Sequence, residues 1–215
     1  MKSLSKSSRR VFGRVVVMSG LIFGAAAMAQ GRSETVASGL ESPWGVGFLP
    51  GDRFVVTEKP GRMRIVAKDG KLGAPLAGLP PIAAGGQGGL LDVLVDADFR
   101  SNRTLYFCFS EPDAGGSANS TALARARLSS DDTRLENLQI VFSQKPKVAS
   151  RAHFGCRIVD GGDGTLYLTL GDRFSRKEDV QKLDNHLGKI VRIGKDGSVP
   201  KDNPFVGRPG ALPEI

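Results

Sequence analysis

The chain has 215 residues, with 30 lysines and arginines against 22 aspartates and glutamates, a formal net charge of +8. Five of those basic residues lie in the first 14 positions, so the remainder carries only +3 and holds no basic run interleaved with aromatics, which removes support for nucleic-acid binding. Its 28 glycines and its shortage of helix-length amphipathic stretches argue against a helical fold and for an all-β chain.

In chain order, the first segment is an export signal by its grammar. Lys2, Lys6, Arg9, Arg10 and Arg14 form a head without an acid, Val15 to Ala29 is apolar, and Ala27-Met28-Ala29 has the small-x-small form of a cleavage site. The apolar run is short for a membrane span, which needs about 20 residues. The expectation is a signal peptide over residues 1–29, a periplasmic protein from Gln30 onward, and no membrane span after cleavage. Ser8-Arg9-Arg10-Val11-Phe12 leaves both the general and the twin-arginine export routes open.

The next segments repeat a unit of strand, turn, strand, strand, with a fourth strand where room allows. Trp44 to Leu49, the turn Pro50-Gly51-Asp52, Arg53 to Glu58 and Arg62 to Val66 form the first. Gly89 to Val95, Asn102 to Phe109, Thr121 to Leu128 and Ile140 to Phe142 form the second. Phe154 to Val159, the turn Asp160 to Gly164, Thr165 to Leu170 and Lys189 to Ile193 form the third. The units start 45 and 65 residues apart. That period, with a glycine-rich apolar first strand, suits propeller blades, whereas the same strands and turns also suit an antiparallel sandwich. Cys108 and Cys156, both in strand-like runs, are compatible with one disulfide or with two buried thiols. The pattern does not give the Cα separation that decides between them.

Four runs carry the chemistry: Gly85-Gly86-Gln87-Gly88-Gly89-Leu90-Leu91-Asp92-Val93, Ala152-His153-Phe154-Gly155-Cys156-Arg157-Ile158-Val159, Leu170-Gly171-Asp172-Arg173, and Leu183-Asp184-Asn185-His186-Leu187-Gly188-Lys189-Ile190-Val191. His153 has a side chain that titrates near working pH and suits a base. Gln87 lies among four glycines that let backbone approach a flat ligand, and its carboxamide both donates and accepts. Asp172 and Arg173 end a strand-like run, where a guanidinium pairs either with a ligand carboxylate or with a surface acid. His186 reads as a turn cap, and Asp160, Asp163 and Gly164 as a hairpin turn rather than a calcium loop. The two histidines lack the spacing of a zinc site, so no metal ligand is assigned.

In this order the four runs resemble the pyrroloquinoline-quinone (PQQ)-dependent soluble aldose sugar dehydrogenases, the glucose and sorbosone dehydrogenase family. The resemblance covers about residues 36–215 and implies a six-bladed β-propeller, of which this chain holds about the first three blades. Residues 30–215 would then be the N-terminal half of the dehydrogenase domain, apparently truncated at its C-terminus. It further implies oxidation of an aldose at C1, with His153 taking the hydroxyl proton and hydride passing to PQQ. Gln87, Asp172 and Arg173 would face the cofactor. Ca2+ would act as Lewis acid on ligands beyond residue 215, and electrons would leave to a cytochrome or quinone. On that expectation the fragment is inactive alone. The rival readings are a non-catalytic periplasmic propeller fragment binding carbohydrate or protein, and a sorbosone-type enzyme with another substrate.

Overall fold

The computed structural model describes residue 31 and residues 33–215, so the export-signal reading of residues 1–29 lies outside it. All that follows belongs to the compact unit Thr35–Ile215. Eleven strands form three antiparallel meanders. The first sheet is β1 (Pro43–Leu49), β2 (Arg53–Glu58), β3 (Arg62–Val66) and β4 (Leu72–Pro75), in that order. The second is β5 (Leu90–Val95), β6 (Thr104–Pro112), β7 (Asn119–Leu128) and β8 (Leu135–Ser143), and the third β9 (Gly155–Asp160), β10 (Thr165–Leu170) and β11 (Ile190–Gly194). The only α-helix among the described residues is one turn, Phe99–Asn102. No helix among them is long and apolar enough to cross a membrane.

Local chemistry explains the hairpins. Leu49 pairs with Arg53 across Pro50-Gly51-Asp52, with Gly51 and Asp52 at φ +81° and +57°. Asp160 Oδ1 accepts from the Gly162 N–H at 2.9 Å and Asp163 Oδ1 from the Thr165 N–H at 3.1 Å, closing the β9–β10 turn as read.

Two separate cores lie between consecutive sheets. Val55, Met63 and Ile65 of the first sheet meet Leu90, Val93, Phe107 and Phe109 of the second. Leu91, Cys108 and Leu123 of the second meet Cys156, Ile158, Leu168 and Val191 of the third. Each fully buried Leu or Phe contributes about 1.5–3 kcal/mol. Three sheets with two cores are the stacking of propeller blades, and a sandwich has two sheets and one core. The first strands β1, β5 and β9 neighbour one another along the inner edge. Gly45 makes that possible, since a Cβ there would stand 2.9 Å from the Leu91 carbonyl oxygen of β5. The Thr57 hydroxyl donates to the same carbonyl and accepts from the Gly45 N–H. Between the second and third sheets, buried Asp92 accepts from the Ile158 N–H at 2.8 Å and from Arg157 at 3.0 Å. Cys108 of β6 is bonded to Cys156 of β9, with Cα atoms 5.8 Å apart, which resolves the choice left open above.

The outer strands differ most from the sequence reading. β4 is Leu-Gly-Ala-Pro and β8 starts at Leu135 rather than near Ile140. β4 buries none of its four side chains and β8 only Leu135 and Phe142, so neither carries an apolar alternation that marks its ends.

Candidate functional site

The inner ends of β1, β5 and β9 and the loops beside them enclose a cleft of about 470 Å³. Trp44, Lys59, Gln87, Leu91, His153 and Phe154 line it. His153 stands just before β9 in the left-handed region, φ +49°, which turns its side chain, 45% exposed, toward this opening. The residue is held from two sides. Its N–H donates to Gln87 Oε1 at 2.8 Å, and its Nδ1 lies 2.8 Å from Asp172 Oδ1.

Asp172 follows β10 and also accepts from the Phe174 N–H at 2.8 Å. That backbone donor, then the imidazole, hold its carboxyl below the usual carboxylate range. An ionised carboxylate only accepts, so the proton between them belongs to His153 Nδ1, which leaves Nε2 as the ring nitrogen not engaged by Asp172. Among the described residues nothing hydrogen-bonds to Nε2. A side chain at Gly171 would run into the His153 carbonyl oxygen, so glycine lets the Asp172 loop close on the histidine.

Gln87 rests on the same frame. Its N–H donates to the Arg151 carbonyl at 2.8 Å, and Oε1 is taken by His153, which leaves the amide NH2 for a ligand. Lys59 stands at the rim with Nζ 2.8 Å from the Gly86 carbonyl. The Arg157 guanidinium lies 5.7 Å from the centre of the Trp44 ring.

Arg173 corrects the sequence reading. It is neither at the cleft facing a cofactor carboxylate nor in a surface ion pair; it is fully buried. Its guanidinium donates to the Ala152 carbonyl at 3.0 Å, the Asn119 carbonyl at 3.1 Å, Asn119 Oδ1 at 2.6 Å and the Ser150 carbonyl. It also lies 3.7 Å from the centre of the Phe154 ring. Burial lowers its pKa to about 10, and no acid pairs with it among the described residues. Its work is to brace residues 150–152, which lead into His153. His186, read as a turn cap, is buried and ties two loops, accepting from the Lys145 N–H at 3.0 Å through Nδ1.

Of the predicted site residues, Gln87, His153 and Asp172 are therefore brought together across three segments, and Arg173 supports them from behind. Trp44 and Lys59, which also line the cleft, were missed. The glycine-rich first strand pointed toward Trp44, while no local signal marks Lys59.

Three stacked antiparallel blades with an imidazole held by a carboxylate at the cleft beside their inner strands define part of a β-propeller that carries its candidate site at the inner edge. The glucose/sorbosone dehydrogenase family model matches residues 40–215, and the chain belongs to that family. It is 38% identical over 191 residues to the aldose sugar dehydrogenase YliI of Escherichia coli, a match covering 88% of this chain and 51% of that protein. Its fold is similar to a crystal structure of glucose dehydrogenase (42% identity, TM-score 0.81, covering 85% of this chain and 53% of that one). The PQQ-bound aldose sugar dehydrogenase of Streptomyces coelicolor is similar too (30% identity, TM-score 0.71, covering 84% of this chain and 52% of that one). The chain thus spans about half the length of the relatives it matches.

Proposed function

We propose that this chain is the His153-bearing part of a PQQ-dependent aldose dehydrogenase that oxidises its sugar at C1. The observation that carries the reading is the linked set Asp172–His153–Gln87 on the wall of the cleft. The residues suit a flat, anionic quinone. The Gln87 amide NH2 has no protein partner among the described residues, the Lys59 ammonium stands at the rim for a carboxylate, and Trp44 adds an aromatic wall. When bound, PQQ supplies the two-electron oxidant that accepts the C1 hydride.

The chain's own residues do the rest. Asp172 fixes the imidazole tautomer and its direction. His153 Nε2 takes the C1 hydroxyl proton, and Asp172 stabilises the imidazolium that results. Gln87 steadies the His153 backbone through Oε1 and orients an oxygen of the ligand through its NH2. Ca2+ belongs to the proposal as a companion of PQQ. No group of three or more His, Cys, Asp or Glu among the described residues is arranged for a metal, so none of them is assigned to it. A cytochrome or a quinone would accept the electrons. Residues 1–29 would direct export to the periplasm, a setting the Cys108–Cys156 bond favours.

Trp44 is the only tryptophan and lines the cleft, which gives a direct assay. Titration with PQQ should quench its emission saturably, and Gln87→Ala should weaken that binding. In a PQQ-loaded protein extended to the length of the family relatives, His153→Ala should lower dye-linked aldose turnover roughly 10²-fold or more, the usual worth of a positioned base. Unquenched Trp44 at high PQQ, or near wild-type turnover in His153→Ala, overturns the reading.

A further inference from the structure

Phe174 is 68% exposed, yet its backbone sits in the left-handed region at φ +61°, directly after Arg173 at φ +59°. Among the described residues no other phenylalanine, tyrosine or tryptophan has a positive φ. A bulky residue there is strained, and strain of this kind persists only where the surroundings impose it. They do so here. The buried Arg173 side chain anchors the preceding residue, and the Phe174 N–H is taken by Asp172 Oδ1 at 2.8 Å. The result is a solvated ring 5.3 Å from the His153 ring, centre to centre, and perpendicular to it at 88°. Burial gains little from this placement. A chain seeking only stability would set glycine or asparagine at this φ.

We propose that Phe174 is the platform on which the sugar ring rests, packing against the C–H face of a pyranose whose C1 hydroxyl points to His153 Nε2. A pyranose joins an apolar face of C–H groups to a polar rim. It needs an aromatic surface beside the base and polar groups around it. Phe174 supplies the first, beside the His153 ring and on the loop that also carries Asp172. This inference rests on the sugar-oxidising reading above and adds the residue that recognises the sugar.

The test compares wild type with Phe174→Ala, Phe174→Tyr and Phe174→Gly. Saturation-transfer NMR with glucose needs no cofactor. Transfer to the C–H protons should be strong in wild type and Phe174→Tyr and fall several-fold in Phe174→Ala and Phe174→Gly. In the PQQ-loaded protein extended to the length of the family relatives, Phe174→Ala should raise KM roughly tenfold, the scale of one aromatic contact, with kcat within about threefold and the pH profile unmoved. PQQ quenching of Trp44 should be unchanged. Phe174→Gly should unfold at a higher temperature than wild type, because it relieves the strained φ. Equal saturation transfer and equal KM in wild type and Phe174→Ala overturn the platform alone and leave the dehydrogenase reading standing. Loss of PQQ affinity in step with sugar binding shows that the ring stacks on the cofactor, and also overturns it. Absence of sugar transfer in wild type, together with absence of turnover in the extended protein, overturns the two together.

Discussion

Replacing both Cys108 and Cys156 with alanine should destabilise the fold far more than any pair of surface changes. The two residues are 48 apart in sequence and join β6 of the second sheet to β9 of the third, both fully buried. In the chain-entropy account, closing a loop of that length removes unfolded-state freedom worth about 4 kcal/mol at 25 °C. A domain of this size is stable by about 5–15 kcal/mol, so the bond would supply a large share. Alanine avoids the buried hydroxyl that serine would introduce, and the lost sulfur packing adds about 1 kcal/mol. Equilibrium urea unfolding, followed by Trp44 emission and by circular dichroism, measures the loss. The native emission of Trp44 should stay the same, because the effect acts mainly on the unfolded chain, whereas amide exchange along β9 should quicken. A loss below about 1 kcal/mol would refute the reasoning and show that the Asp92 contacts and the core between the second and third sheets hold that seam unaided.

Asp172→Asn should leave PQQ quenching of Trp44 intact and, in the extended protein, lower turnover by on the order of 10²-fold or more, since a carboxamide can donate to Nδ1 and reverse the tautomer; unchanged kcat would remove Asp172 from the proton path. Arg173→Met should cost about 3 kcal/mol or more in urea unfolding, because the oxygens of Ala152, Ser150 and Asn119 lose their buried donor; a cost under about 1 kcal/mol would show that water replaces it without penalty. Burial, opposed by Glu214, lowers the pKa of His186 below its ordinary 6.5. Native His186 therefore binds fewer protons than the unfolded chain below that pH, and stability should fall as pH drops from about 6.5. His186→Asn keeps an acceptor for the Lys145 N–H and should lose that part of the acid slope; an identical slope in the variant assigns it to other groups.

Much of the architecture was legible in the linear chain. The inner strands were expected near Trp44, Gly89 and Phe154 and begin at Pro43, Leu90 and Gly155, because these short apolar runs start at glycine-rich segments and are bounded by tight turns with strong residue preferences. Gln87 and His153 were legible through their glycine-rich and His-Phe-Gly contexts, and their place in a sugar dehydrogenase family through the order of four motifs. Other features depend on distances and directions that no local pattern contains. The Cys108–Cys156 bond required a Cα separation of 5.8 Å across two sheets. Gln87 meets the backbone of a residue 66 positions away. Arg173 looked like a surface cation because Asp-Arg after a strand usually is one. Its φ of +59° instead turns the guanidinium under the His153 loop and leaves the next residue, Phe174, outside. Sequence alone determined which short apolar runs would be strands and roughly where the first strand of each unit begins. Only the packing of one sheet on the next decided which side chains face the cleft and which are spent holding it open, because side-chain direction at a strained turn is set by what the rest of the fold has already filled.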